Sequence, residues 1–328
     1  MCGIVKVRRI DGKKANNKVI HEYNLQKWRG SEGFGFCGIK NGKMRSYIRH
    51  TTEEDIFGLL REDDSTDIMF HHRYPTSTDN IMEASHPIKV ENKELDSIFY
   101  VVHNGIITNC QRLKTKHELL GYQYTTTVTK YLKTMYSEYF YDSQFNDSES
   151  LAIELARYLS GKCDSIETVG SVAFIVLETD RKGNVKKLHY GRNEGNPLTI
   201  SVTNKVEVIA SVGGVMIKSN TLYTYNYKKN RTDQKPFKVG TYSLPAYPTS
   251  YSATNWGHDA GIADDDSMYA EDSEYESENN KAKKKMLAQK EIERLEWDLY
   301  EAQEAFDYAK VNDIEEKIFE LELSCEGY

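Results

Sequence analysis

Cys2 is the residue of this chain best placed to do chemistry, standing in Met-Cys-Gly-Ile one peptide bond from the first residue. Met1 is easily cleaved before a small residue, which leaves Cys2 with both a thiol and a free α-amine. Such an amine has a pKa of ~7.7–8.0, whereas a peptide nitrogen has no useful basicity. A base works best when its pKa lies near the operating pH. Nucleophile and base could therefore come from one residue. The plain alternative is an uncleaved Met1 and a thiol that packs as a small hydrophobe, the usual fate of a free cysteine.

Four further stretches carry polar residues worth weighing: KWRGSEGFGF (27–36), HHRYPTSTDN (71–80), VVHNGIITN (101–109) and NDSESLAIEL (146–155). Each has a bland local reading. Asn104-Gly105 is a hairpin-type turn signal. Asp147 before an apolar run reads as a helix N-cap. His71 and His72, adjacent on a strand, point to opposite faces and cannot readily chelate one ion. Packing or a strand-end hydrogen bond is expected of both. No metal and no cofactor is expected, since no P-loop or dinucleotide fingerprint is present.

In this order, together with Met-Cys-Gly-Ile, the stretches resemble the glutaminase domain of the class II (N-terminal nucleophile, Ntn) glutamine amidotransferases. That family includes glucosamine-6-phosphate synthase and glutamine phosphoribosylpyrophosphate amidotransferase. The resemblance covers residues 2 to about 245. It implies an α+β fold, a four-layer αββα Ntn-hydrolase sandwich. It also implies that the Cys2 thiolate attacks the side-chain amide of L-glutamine, with ammonia leaving and water cleaving the thioester. By the same resemblance, the Asn104 side chain and the Gly105 N–H stabilise the oxyanion. Arg73 holds glutamine's α-carboxylate with Thr76 beside it, and Asp147 pairs with its α-ammonium. Arg29 and Gly30 lie near the nucleophile, and His86 lies near the site. YGRNEGNPL (190–198) matches a family loop whose role is structural. The chain departs from the family at Ser31-Glu32, where Pro-Asp is usual, and in the length of 106–146, which suggests an insertion and leaves Asp142 as a rival to Asp147.

Positioning these residues requires strands and helices. GIVKVRRI, FGFCGIK, SIFYVVHNGII, SVAFIVLET and VEVIASVGGVMI are β-branched or aromatic runs bounded by turn formers, and read as strands. TEEDIFGLL, with a Thr-x-x-Asp cap, and DSESLAIELARYLSG, ending in Gly161, read as helices. Strands mixed with helices over this length suggest a layered domain, residues 1–246.

Composition then changes. HDAGIADDDSMYAEDSEYESENN holds nine acidic residues and no Lys or Arg, so 247–280 reads as an acidic disordered linker. Residues 281–328 follow a coiled-coil spacing, Ala288, Ile292, Leu295 and Leu299 among them, and then break phase near Asn312. A helical hairpin or coiled coil is expected there; its sequence resembles the hairpin that ends the excinuclease B subunit.

The net charge of -7 argues against a nucleic-acid or membrane-surface binder. No apolar run reaches the length of a membrane span, and no secretory signal is evident, so a cytoplasmic protein is expected. Five cysteines, an odd number with no CxxC pair, argue against a disulfide framework. The length left beyond the first domain cannot hold an ammonia-consuming domain of the family. Two readings follow. One is a glutaminase subunit that passes ammonia to a separate synthase, captured through 281–328, or that self-associates there. The other is a catalytically silent scaffold acting through its C-terminal helices. An Ntn amide hydrolase with another substrate is disfavoured by Arg73 and Asp147, which suit a free amino acid.

Overall fold

The computed structural model describes residues 2–75, 77–132 and 140–240, together with Lys317. The chain divides into two units, Met1–Thr249 and Ser250–Tyr328. All elements below belong to the first; of the second, Lys317 is helical and exposed. The linker and hairpin expected at 247–280 and 281–328 otherwise lie outside the described residues.

In chain order the elements are β1 (Gly3–Arg9), α1 (Asn16–Asn24), β2 (Glu32–Lys40), β3 (Lys43–His50), α2 (Glu53–Glu62), β4 (Asp67–Arg73), β5 (Ile88–Val90) and β6 (Ile98–Ile107). There follow α3 (Cys110–Leu119), β7 (Val128–Leu132), β8 (Phe140–Gln144), α4 (Asp147–Leu159), β9 (Gly170–Thr179), β10 (Val185–Arg192), β11 (Thr199–Val202), β12 (Val206–Ala210), β13 (Val215–Met216), β14 (Thr221–Asn226) and β15 (Arg231–Pro236). Among the described residues the strands form two large sheets. One has the order β13-β11-β12-β1-β4-β2-β3, the other β15-β14-β10-β9-β6-β5; β7 and β8 pair as a separate hairpin. All these strand pairings are antiparallel.

Alternation along each strand sorts its side chains between two faces. In β1 and β4, Val5, Val7, Ile68 and Phe70 pack outward with Val19 and Tyr23 of α1 and Ile56, Phe57 and Leu60 of α2. Ile4 and Met69 face the other way, into a core shared with Ile98, Tyr100 and Val102 of β6. The outer face of β6 and β9, with Phe99, Val101, Val172 and Phe174, is covered by Leu113 of α3 and Leu151 and Leu155 of α4. The result is four layers, helix–sheet–sheet–helix. Each sheet is apolar on both faces, which is why its strands read as near-continuous hydrophobic runs.

Two helix starts differ from the sequence expectation. Thr52 is the N-cap residue of α2, but its hydroxyl donates to the Asp55 carboxylate and caps no main-chain N–H. In α4 the cap is Asn146, whose side chain accepts from the Ser148 N–H at 3.0 Å. Asp147 is thus the first helical residue and not the cap.

Candidate functional site

Cys2 immediately precedes β1, and Gly3 pairs with His72 of β4, so Cys2 lies beside Arg73. By parity with Ile4, the Cys2 side chain faces the space between the sheets, as does Arg73 by parity with Met69. From the opposite sheet, Asn104 shares parity with Ile98, Tyr100 and Val102 and faces the same space. Thiol, guanidinium and amide therefore converge from two sheets at one end of the sandwich.

Cys2 is half-buried. Its Sγ accepts from the Tyr74 N–H at 3.5 Å and lies 3.7 Å from the Tyr74 carbonyl. Burial pushes its thiol up; the Tyr74 hydrogen bond, the amino-terminal charge and Arg73 lower it, and Asp147 raises it. Arg29, buried, donates through Nε to the Cys2 carbonyl at 3.0 Å. Gly30 is required by close approach: a Cβ there would stand 2.6 Å from the Arg73 carbonyl carbon.

Arg73 is 2% exposed. Nη1 donates to the Asp79 carbonyl at 3.0 Å, and Nη2 to the Thr78 hydroxyl at 2.6 Å and carbonyl at 3.3 Å. Burial lowers its pKa, while Cys2, Asp147 and Glu32 oppose that. Cys2 and Arg73 thus each feel the other and Asp147. Thr76 lies outside the described residues.

Asn104 is 1% exposed, and its Nδ2 has no protein partner among the described residues. A buried amide donor without an acceptor is costly, about 1–3 kcal/mol, and calls for an explanation such as a catalytic role or a bound water or ion. At Gly105 the backbone has φ +146°, and a Cβ would meet the Ser171 carbonyl oxygen at 1.8 Å. Only glycine fits. The neighbouring His103 points outward from the sheet, with its Nδ1 2.8 Å from the Ser148 hydroxyl of α4.

Asp147 is buried at the start of α4. Its Oδ2 accepts from the Ile107 N–H at 2.7 Å and its Oδ1 from the Ser77 hydroxyl at 3.3 Å. The helix N-terminus also favours a negative charge there. The rival Asp142 lies in β8, backbone-paired with Lys130; its side chain lies outside the description. Between Gly105 and Asp147 the described residues include α3 and the paired strands β7 and β8. The chain is held where it returns to α4 by Glu149, whose carboxylate accepts from the main chain and hydroxyls of Thr125 and Thr126 at 2.6–2.9 Å.

His86 is fully buried, with its ring centroid 4.1 Å from that of His71 and neither nitrogen bonded among the described residues. Its link to the site runs through His71. In the 190–198 loop, Asn193 accepts from the Val172 N–H and donates to the Gly170 carbonyl, bracing the strand opposite Gly105. The Tyr74 N–H and the Thr78–Asp79 carbonyls were not foreseeable from sequence, because main-chain atoms carry no residue-type signal. Among the described residues no group of three His, Cys, Asp or Glu side chains could hold a metal. No described helix is long and apolar enough to cross a membrane.

No protein-family model matches the chain. The chain is 23% identical over 191 residues to glutamine–fructose-6-phosphate aminotransferase (isomerizing) of Encephalitozoon cuniculi, covering 53% of this chain and 26% of that protein. It is 24% identical over 216 residues to the same-named protein of Sulfolobus acidocaldarius, covering 64% and 33%. The chain thus spans about a quarter to a third of the length of these relatives. In fold it is similar to glutamine phosphoribosylpyrophosphate amidotransferase from B. subtilis, with a TM-score of 0.50, 16% identity, and coverage of 73% of this chain and 50% of that one. A second structure, an allosteric regulatory enzyme of purine biosynthesis, gives a TM-score of 0.51 at the same identity and coverage. In sequence and in fold the chain is thus similar to glutamine-dependent amidotransferases.

Proposed function

We propose that, as a class II glutamine amidotransferase domain, this chain hydrolyses L-glutamine to L-glutamate and ammonia through a Cys2 thioester. The observation that carries the reading is the convergence of Cys2, Arg73 and Asn104 on one space between the sheets, with the Asn104 amide donor buried and unpartnered.

In this reading Met1 is removed and the freed α-amine takes the Cys2 thiol proton. Sulfur attacks the glutamine amide carbon, and the oxyanion takes hydrogen bonds from Asn104 Nδ2 and the Gly105 N–H. Two such donors are worth ~10²–10³ each in turnover. The protonated amine returns its proton to the departing nitrogen, which leaves as ammonia. Water, deprotonated by the same amine, cleaves the thioester to glutamate. Arg73 holds the α-carboxylate, and Asp147 the α-ammonium. Thr76 assists Arg73, and His86 supports the site from behind His71.

We place the acceptor of ammonia on a separate protein, with 1–246 as the amidotransferase domain, 247–280 as an acidic tether and 281–328 as a helical segment that binds that partner or a second copy. A tether raises local concentration without new contacts. A cytoplasmic setting goes with this reading.

The test is intact mass together with ammonia release from glutamine. Loss of Met1, turnover in the wild type and none in Cys2→Ala are expected. A processed, folded wild type that releases no ammonia would leave the scaffold reading in its place.

A further inference from the structure

The two adjacent histidines of β4 take no part in the chemistry above, yet each touches a segment that carries it. We propose that His71 and His72 are positioning residues used as fixed neutral donors of opposite tautomer, His71 tying the oxyanion strand and His72 the nucleophile loop to the strand that bears Arg73. This rests on the glutaminase reading for its functional meaning, though not for its geometry.

Parity separates the two rings. His71 faces inward, like Met69, and His72 outward, like Phe70. His71 Nε2 lies 3.1 Å from the His103 carbonyl, the residue before Asn104. It crosses from one sheet to the other at the oxyanion donors. His72 Nδ1 lies 2.6 Å from the Gly30 carbonyl. Gly30 follows Arg29, whose guanidinium holds the Cys2 carbonyl. The His72 ring also fills the space a side chain at position 3 would need: a Cβ on Gly3 would be 1.8 Å from His72 Nε2. The ring therefore sits directly behind the nucleophile, which accounts for the glycine after Cys2. Tyr23 meets it edge-on at 4.9 Å.

The tautomers follow from the partners. A carbonyl oxygen only accepts, so the bonded nitrogen carries the hydrogen in each ring. That makes His71 the Nε2–H form and His72 the Nδ1–H form. The other nitrogens, His71 Nδ1 and His72 Nε2, are buried without a partner among the described residues, which offer a second proton nothing to bond. Burial holds both rings neutral, His72 at about 4 and His71 well below its ordinary value. Three consecutive residues, His71, His72 and Arg73, thereby fix oxyanion strand, nucleophile loop and carboxylate fork relative to one another. A displacement of about 1 Å in such parts costs on the order of 10²-fold in rate.

Amide side chains test this, because glutamine places its nitrogen near the imidazole Nε2 position and asparagine near Nδ1. In Met1-processed protein, His71→Gln should keep kcat within about threefold of wild type, and His71→Asn should lower it about 10–100-fold with KM for glutamine changed less than about twofold. At position 72 the order should reverse, His72→Asn retaining kcat and His72→Gln losing it. Equal losses for both amides at a position would overturn the proposal, since a packing role does not distinguish them. Ring-nitrogen NMR of the wild type gives a readout free of turnover: Nε2–H for His71 and Nδ1–H for His72 are expected. The opposite tautomers, or charged rings near pH 7, would also overturn it. If the wild type has no glutaminase activity, the proposed function fails by itself and the NMR result alone decides on the pair.

Discussion

The Asp147 carboxylate receives the main-chain N–H of Ile107 at 2.7 Å, two residues beyond Gly105. One side chain at the start of α4 thus fixes the end of the strand that carries Asn104 and Gly105, while its charge acts on Cys2 and Arg73. The two roles separate by substitution. Asp147→Asn keeps an acceptor for Ile107 and removes the charge. It should raise KM for glutamine about 10–100-fold, with unfolding free energy within about 1 kcal/mol of wild type. Asp147→Ala orphans a buried N–H and should also lose about 1–3 kcal/mol in urea unfolding.

Asn104 presents the converse case. Its Nδ2 bonds nothing among the described residues, so its removal forfeits little on that side of the amide. Asn104→Ala should lower kcat for glutamine hydrolysis ~10²–10³-fold, with a melting temperature close to wild type. A variant with unchanged kcat would remove Asn104 from the oxyanion assignment.

The glycines divide by what a methyl group would meet. Gly3→Ala drives a Cβ into the His72 ring and should destabilise by at least about 1–3 kcal/mol. Gly58, within α2, has nothing within 4 Å. Gly58→Ala should therefore stabilise by about 0.5–1 kcal/mol through helix propensity. Urea unfolding of the pair checks both signs.

Between the sheets, away from Cys2, Lys6 is ion-paired with Asp67, both buried, and the Tyr227 hydroxyl donates to the same carboxylate at 2.7 Å. Lys6→Ala should cost about 3–5 kcal/mol, because it leaves Asp67 buried without its counter-charge. The double variant Lys6→Met with Asp67→Leu should recover much of that loss. A cost under about 1 kcal/mol for Lys6→Ala would show that the pair is not desolvated.

Glu154 sets an acid limit on stability. Burial raises its pKa, but hydrogen bonds from His117, the Glu167 N–H and Lys116 outweigh that and hold it at about 2. Its folded value lies below the unfolded value of ~4.3. Its stabilisation is therefore fully present above about pH 4.3 and is lost as pH falls through about 2. Glu154→Gln should flatten the fall in unfolding free energy between about pH 5 and pH 2.5 relative to wild type. Identical slopes would exclude Glu154 as a contributor.

Local sequence determined a good deal of this protein. The five strand runs read from β-branched and aromatic residues lie in β1, β2, β6, β9 and β12–β13, and the two helices lie in α2 and α4. Period-two alternation was enough to send His71 and His72 to opposite faces. Asn104, Arg73 and Asp147 were nominated beside Cys2 by the family resemblance, because on local residue type alone Asn104-Gly105 reads as a turn and Asp147 as a helix cap. What tertiary structure alone decided is pairing across distance. Asn146 and not Asp147 caps α4, because the Asp147 carboxylate is drawn to a main-chain N–H forty residues back along the chain. Glycine at position 3 is explained by a ring sixty-nine positions away. Hydrogen bonds to main-chain atoms carry no residue-type signature, and burial that shifts a pKa exists only once two sheets have closed on one another.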